Sequence, residues 1–413
     1  MGRTVCRSRN FLLLWQSQFV GDLGGNVSAF ALPAMLVLTV RATPLQVGAL
    51  EALTTGMIPL CALGAGIVAD RCRHRPLLVA ANVVRLTALA TIPLAFLHGI
   101  PPLWLFFAVA AIVAGASSVF DTAYAAFVPS VVGAAALAEG TAKLSMGTSA
   151  AEAAGAGIGG ALVTLAGAPF ALLVNVATFA FSAASLAAIR VDDAPRARGA
   201  SLGGDLRDGI AVVLREPMLR AATLSNALAY FGGGTAAAVS TVFVYREAHL
   251  TPLALAIVMT CGNAGALAAW SAARIARRAG VERTMASAHV AAGVGNALLP
   301  LFAAMVPLAA LFASRLMLTA SGPLFGVNDA TLRASLVPAH LLGRATATAR
   351  TIVWGALPAG ALLGGYLGGH IGLGATMLLG AAINASAAAI LLVPRATRPR
   401  RARSLAAQLV TVG

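Results

Sequence analysis

The sequence predicts an all-α integral membrane protein whose twelve transmembrane helices form two six-helix bundles. Three observations predict it. The 413 residues are 59% hydrophobic and only 10% charged, with a mean hydropathy of +0.85. A soluble domain carries about 25% charged residues, so a bilayer is the natural solvent for this chain. Apolar runs of about 20 residues recur from end to end, each long enough to cross roughly 30 Å of hydrocarbon. Finally, the glycine pattern of the fifth run returns in the eleventh, as expected if two six-helix halves share one design.

The elements follow in order. MGRTVCRSRN and FLLLW open the chain like a signal peptide. No short apolar core closed by an A-x-A site follows, and the run extends to Val40, so an uncleaved first helix is predicted. Cys6 stands where a myristoylation pattern needs Ser or Thr. The first six spans are predicted at 12–39, 45–69, 76–97, 102–124, 141–166 and 168–189. The polar stretch RVDDAPRARGASLGGDLRDGIAVVLREP, residues 190–217, divides the chain near its midpoint. The second six spans are predicted at 218–244, 252–273, 284–304, 306–328, 346–369 and 372–393. The expected domains are an N-terminal bundle, 1–190, a cytoplasmic linker, 191–217, a C-terminal bundle, 218–394, and a basic cytoplasmic tail, 395–413. The short links Gly167-Ala168-Pro169 and Met305-Val306-Pro307 predict tight helical hairpins.

The net charge is +15. Of the 29 Lys and Arg, only Arg41 and Arg246 fall in the alternate set of loops, and Arg85 and Arg315 lie within spans. Nearly all the rest flank spans on one side, which predicts both termini in the cytoplasm. That pattern reads as topology, not as a nucleic-acid surface. The tail RATRPRRARS would lie against anionic lipid headgroups, or serve only as a stop-transfer flank. Cys6, Cys61, Cys72 and Cys261 form no CxxC and suggest neither a disulfide framework nor a metal site.

GAGIGGALVTLAG, residues 155–167, aligns with GALLGGYLGGHIG, residues 360–372. Gly155, Gly159, Gly160 and Gly167 match Gly360, Gly364, Gly365 and Gly372. Gly155, Gly157 and Gly160 also spell GxGxxG. A dinucleotide site needs a strand before that motif, and here it lies well inside an apolar run. Close helix–helix packing is the better reading.

Between spans 2 and 3, GAGIVADRCRHRPLLV places a charged knot between two apolar runs. Taken alone it is a topology marker or a joint. It resembles the loop 2–3 signature of the major facilitator superfamily, with Gly66, Asp70, Arg71, His74 and Arg75 on the signature positions. NFLLLWQSQFVGDLGG, VPAHLLGRATATAR and GALPAGALLGGYLGG add to the resemblance, which covers about residues 9 to 394. Arg73 in place of the usual glycine is similar to the branch that includes macrolide and enterobactin exporters. The resemblance implies alternating access by two rocking bundles, with the loop locking their cytoplasmic ends. In that role Asp70 would face the N-terminus of span 11, near Arg344, where the helix dipole favours a negative charge. Asp121, at the predicted end of span 4, would pair with Arg71 or Arg75. Two departures stand out. Gly155 is followed by Ala156 where the antiporter signature has Pro, with Ala151 at an earlier glycine position. Span 4 lacks the buried arginine of many proton-coupled members.

An ionisable group inside a span is a functional candidate by default. Asp22 lies mid-span, with Gln18 and Asn26 four residues to either side on one helical face. It can carry a proton, pair with a cationic substrate, or make a structural hydrogen bond. Glu152 in span 5 faces a cavity or bonds across helices. Arg315 in span 10 needs a partner or an anionic ligand; Asp22 and Glu152 are the candidate mates. Arg85 is expected to snorkel. Trp15, Phe231 and Trp354 line the cavity or pack.

No Walker A pattern GxxxxGK[ST] occurs, so an ion gradient supplies the energy. The resemblance implies a monomeric exporter of a small amphipathic compound, a drug or secondary metabolite, in the cytoplasmic membrane. Protons are the expected counter-substrate, with no cofactor and no metal. An uncoupled facilitator or importer of a small metabolite is the alternative. A membrane-embedded enzyme is disfavoured by the absence of HExxH, a nucleophile motif or a His/Asp/Glu cluster. A sensor is disfavoured by the absence of a polar sensory domain.

Overall fold

A computed structural model describes residues 8–133, 136–191 and 210–393. Most of the expected linker, the whole basic tail and Cys6 lie outside the described residues.

Among the described residues, twelve long helices follow one another. They are α1 (Arg9–Leu38), α2 (Pro44–Arg71), α3 (His74–Phe96), α4 (Leu103–Val132), α5 (Leu137–Ala166) and α6 (Ala168–Ala187). The second six are α7 (Pro217–Arg246), α8 (Pro252–Ala279), α9 (Val281–Phe302), α10 (Pro307–Leu336), α11 (Ala339–His370) and α12 (Leu373–Leu392). All twelve are long and apolar enough to cross a membrane when α2, which bends by 49° just beyond Pro59, is taken as one span. α8 is interrupted by a 3-10 turn at Asn263–Ala268.

Several predicted boundaries move, among them that of α8, which continues to Ala279. α4 continues to Val132, α10 continues to Leu336, and α11 begins at Ala339. The α4 extension is held by packing: Ala123, Phe127 and Val128 recur at helical spacing and bury in one core with Phe11, Leu78 and Leu186. Asp121 therefore sits well inside a helix rather than at its end. Arg344 lies in the second turn of α11, not at its N-terminus.

The described chain divides into two compact units, 8–191 with Val244–Thr260, and 210–243 with 261–393. The internal repeat is visible in each separately. In the first, a Cβ on Gly155 would lie 3.1 Å from the Leu23 carbonyl oxygen, and one on Gly159 would lie 3.2 Å from the Val27 oxygen. In the second, a Cβ on Gly360 would lie 2.0 Å from the Phe231 oxygen, and one on Gly364 would lie 2.1 Å from the Thr235 oxygen. Matching glycines thus let α5 approach α1 and α11 approach α7, backbone to backbone. The GxGxxG glycines lie within α5, with no strand before them. Gly167 and Gly372 both adopt φ 88°, ψ 158° immediately before α6 and α12, a conformation that favours glycine. A further match is not among the sequence expectations. Thr43-Pro44 and Thr251-Pro252 open α2 and α8, each two residues after a non-glycine residue with positive φ, Arg41 at 57° and His249 at 51°. The Thr43 hydroxyl accepts from the Gln46 amide and Thr251 from the Ala254 amide, so both helices are capped alike.

Polar groups inside each unit bond across helices. Ser17 and Asn82 both meet the Ser182 hydroxyl at 2.9 Å, and His289 meets Ser225 at 3.4 Å. One buried charge pair is local to a single helix. Arg333 Nη2 lies 2.5 Å from Asp329 Oδ2, one turn away on α10, with both side chains about nine-tenths buried. Asp329 Oδ1 is buried without a partner. Removing one member of such a pair leaves a bare charge, at a cost of about 3–5 kcal/mol, whereas replacing both with apolar residues is close to neutral. Arg333→Leu should therefore lower the thermal midpoint in detergent further than Asp329→Leu/Arg333→Leu together. A double variant less stable than the single would contradict this.

Candidate functional site

Asp22 is held by hydrogen bonds from two helices. On α1, Gln18 Nε2 donates to both carboxylate oxygens, at 2.9 and 3.0 Å. From α5, the Thr148 hydroxyl donates to Oδ2 at 2.8 Å. Asn26, on the same face, does something else: its Nδ2 donates to the Asp22 main-chain oxygen at 2.9 Å, which braces the helix and not the carboxylate. The close approach that delivers Thr148 depends on small residues, since Gly155 lies against the Asn26 Cβ and Gly147 against the Trp15 ring. Trp15 in turn stacks on Phe19 at 5.2 Å, so it packs within this unit.

Arg85 does not snorkel. It is 7% exposed, with its guanidinium carbon 4.1 Å from the Phe120 ring centre and 5.0 Å from that of Phe179. Contact with two ring faces is favourable for a desolvated guanidinium. Its Nε and Nη2 are buried without a hydrogen-bond partner. Its charge acts on Asp121 of α4 and Asp22 of α1. Glu152, exposed and one turn beyond Thr148 on α5, also acts on Asp22. α3 thus carries a buried arginine, packed onto Phe120 of α4. The resulting cluster holds one buried base and more than one acid. When both Asp22 and Asp121 are ionised it lacks a positive charge, which a proton or a cationic group can supply.

The loop 2–3 residues are placed differently from expectation. Arg75 serves the end of α6, donating from Nε to the Leu186 oxygen at 3.3 Å and from Nη2 to the Ala187 oxygen. A cation there satisfies exposed carbonyls and the negative end of the helix dipole. Asp121 meets the charge of Arg85 instead of pairing with Arg71 or Arg75 as expected. Asp70 and Arg71, in the last turn of α2, are exposed, and open space surrounds Gly66. In the second unit, Arg315 Nη2 donates to Asn263 Oδ1 at 3.0 Å, and Trp354 packs against Tyr230 with ring centres 5.9 Å apart. Among the described residues no group of three or more His, Cys, Asp or Glu is placed to hold a metal.

The model of the Major Facilitator Superfamily matches residues 14–354. This chain belongs to the Major Facilitator Superfamily. It is a multi-pass membrane transporter of a small substrate, not an enzyme. Solved transporter structures share the fold at low identity. The nucleoside transporter NupG aligns with a TM-score of 0.75 at 13% identity, over 93% of this chain and 98% of that one. A bacterial homologue of the iron transporter ferroportin, in its inward-facing state, gives 0.69 at 16%, over 93% and 98%. A bacterial homologue of the human lysosomal transporter Spinster gives 0.67 at 12%, over 99% and 98%. A search of curated proteins gave no match.

Thr148 and Asn263 are site residues that sequence reasoning misses. They carry no charge, and neutral polar residues are common in membrane helices. Arg85 is visible in the sequence as a charge within a span. Its partners come from α1, α4 and α6, and no local spacing announces them.

Proposed function

We propose that this transporter exports a small amphipathic compound, a drug or secondary metabolite, in exchange for protons that enter through Asp22. The charge balance around Asp22 carries this reading. The Asp22 carboxylate accepts hydrogen bonds from the neutral side chains of Gln18 and Thr148, and with no salt-bridge partner among the described residues its charge is open to neutralisation by a proton or another cation. Uncompensated charge within a bilayer is costly, so occupancy of Asp22 is tied to which side the site opens to. Gln18 and Thr148 hold the carboxylate in place, with Glu152 as a second acid beside it. The bundles at 1–190 and 218–394 rock to give alternating access. The loop from Gly66 to Arg75, with Asp70 and Arg71, works as the cytoplasmic gate, in which Asp121 and Arg344 also take part. The signature resemblance to macrolide and enterobactin exporters supports export as the direction. The arginine distribution supports cytoplasmic termini in the cytoplasmic membrane, with the tail against anionic lipid. The working unit is a monomer.

The test uses inside-out vesicles carrying an imposed proton gradient and a panel of cationic, neutral and anionic amphiphiles. Compound-evoked proton release is expected, and uptake of the same compound should cease when a protonophore collapses the gradient. Uptake that is unchanged without the gradient would replace the antiporter with an uncoupled facilitator or importer.

A further inference from the structure

The second unit holds a charge that no acid among the described residues balances. Arg315 lies on α10, about 12 Å along the helix axis from Pro307 at 1.5 Å per residue. It takes part in neither of the carboxylate pairs Lys143–Glu139 and Arg333–Asp329, and no carboxylate charge acts on it. One nitrogen, Nη2, donates to Asn263 Oδ1, while Nε is buried without a partner. Arg85 differs on this point, since the charges of Asp121 and Asp22 act on it.

The surroundings of Arg315 are constructed around it. Asn263 begins the 3-10 turn that interrupts α8. Gly262, immediately before, lies against the arginine stem, where an added Cβ would sit 2.4 Å from Arg315 Cγ. The Thr319 hydroxyl, one turn along α10, donates to the Gly262 oxygen at 2.6 Å. A Cβ on Gly265 would lie 2.3 Å from both the Leu316 oxygen and the Thr319 hydroxyl oxygen. The turn is thus pinned to α10, with the stem clamped and the guanidinium steered by an amide. In transporters, interrupted helices of this kind sit at substrate sites.

Arg315 is only partly buried, so its guanidinium stays open to a ligand, and leaving such a cation unbalanced in a bilayer is costly. The missing negative charge is best supplied by cargo. A guanidinium takes planar or tetrahedral oxyanions through parallel charge-assisted hydrogen bonds. We infer that Arg315 and Asn263 form an anion-binding subsite, and that the transported compound carries a carboxylate, phosphate or sulfate on an apolar body. This rests on the reading of the protein as a small-compound transporter, and it is independent of direction and of proton coupling.

The experiment measures binding without any gradient. Purified wild type, Arg315→Gln and Arg315→Lys are placed in phosphatidylcholine nanodiscs and titrated with decanoate, methyl decanoate and decyltrimethylammonium. Thermal stabilisation is read for each. Decanoate should bind wild type at least about tenfold more tightly than its ester or the ammonium compound, the gain of a charge-assisted hydrogen-bond pair. Arg315→Gln should lose that preference, and Arg315→Lys should keep part of it. Should Arg315→Gln fail to fold, Asn263→Ala replaces it and is expected to weaken decanoate binding several-fold. Replacing a third of the lipid with phosphatidylglycerol should leave the response unchanged. If the anionic lipid erases the response, the subsite takes a headgroup and the inference about cargo fails. Equal binding of decanoate and its ester by wild type, or an undiminished preference in Arg315→Gln, overturns the subsite. Failure of proton coupling would appear elsewhere, in the vesicle assay, with the decanoate preference intact.

Discussion

Asp22→Asn is expected to reduce compound-evoked proton release from inside-out vesicles at least about a hundredfold while leaving the protein as stable as wild type, since a buried acid in a span is a proton relay by chemistry and its amide is not. The substitution preserves shape and an acceptor oxygen for Thr148 or Gln18. It removes the charge and the titratable proton. The contrasting variant is Arg85→Gln. It leaves carboxylates on α1 and α4 without their base and strips a cation from between Phe120 and Phe179, so flux and stability should fall together. Loss of a buried charge partner costs about 3–5 kcal/mol. If Asp22 merely bonded α1 to α5, the two variants would behave alike, each losing flux in proportion to stability. Full proton release by Asp22→Asn would remove this residue from the coupling pathway.

Gly360→Ala is expected to destabilise the transporter by about 3 kcal/mol or more, at the upper end of what overpacking costs. The new methyl would lie 2.0 Å from the Phe231 carbonyl oxygen and 2.8 Å from its carbon. These are backbone atoms of a neighbouring helix, so no rotamer change relieves the clash, and α7 and α11 must separate. Gly364→Ala should act similarly against Thr235. Gly355→Ala on the same helix meets nothing within 4 Å; it should be neutral or slightly stabilising, because alanine is the better helix former. Detergent-solubilised melting curves distinguish the positions. A Gly360→Ala protein that melts with wild type would mean that α11 does not lie on α7 as described.

The matched glycines show what kind of information is legible in the chain alone. The pairs Gly155 with Gly360 and Gly159 with Gly364 are readable because a repeat is a comparison of the chain with itself. The number of spans is readable because a bilayer sets a length and apolar runs either reach it or do not. The signature loop is readable as a short contiguous string. Each of these is local in sequence or periodic along it.

The tertiary structure decided the rest. Helices that are apolar on every side carry no stripe to say which face meets which neighbour. Nothing in span 3 indicates that Arg85 is sandwiched by Phe120 and Phe179, nor does span 5 show that Thr148 reaches Asp22. Arg75 belongs to a loop signature in sequence and to the end of α6 in space. α4 runs past Asp121 because Phe127 and Val128 find a core shared with α1 and α3, a contact that hydropathy along one segment does not contain. The sequence alone determined a twelve-span chain built as a repeat, with a few charges inside the bilayer. Packing between distant helices determined which of those charges are balanced and which wait for a ligand.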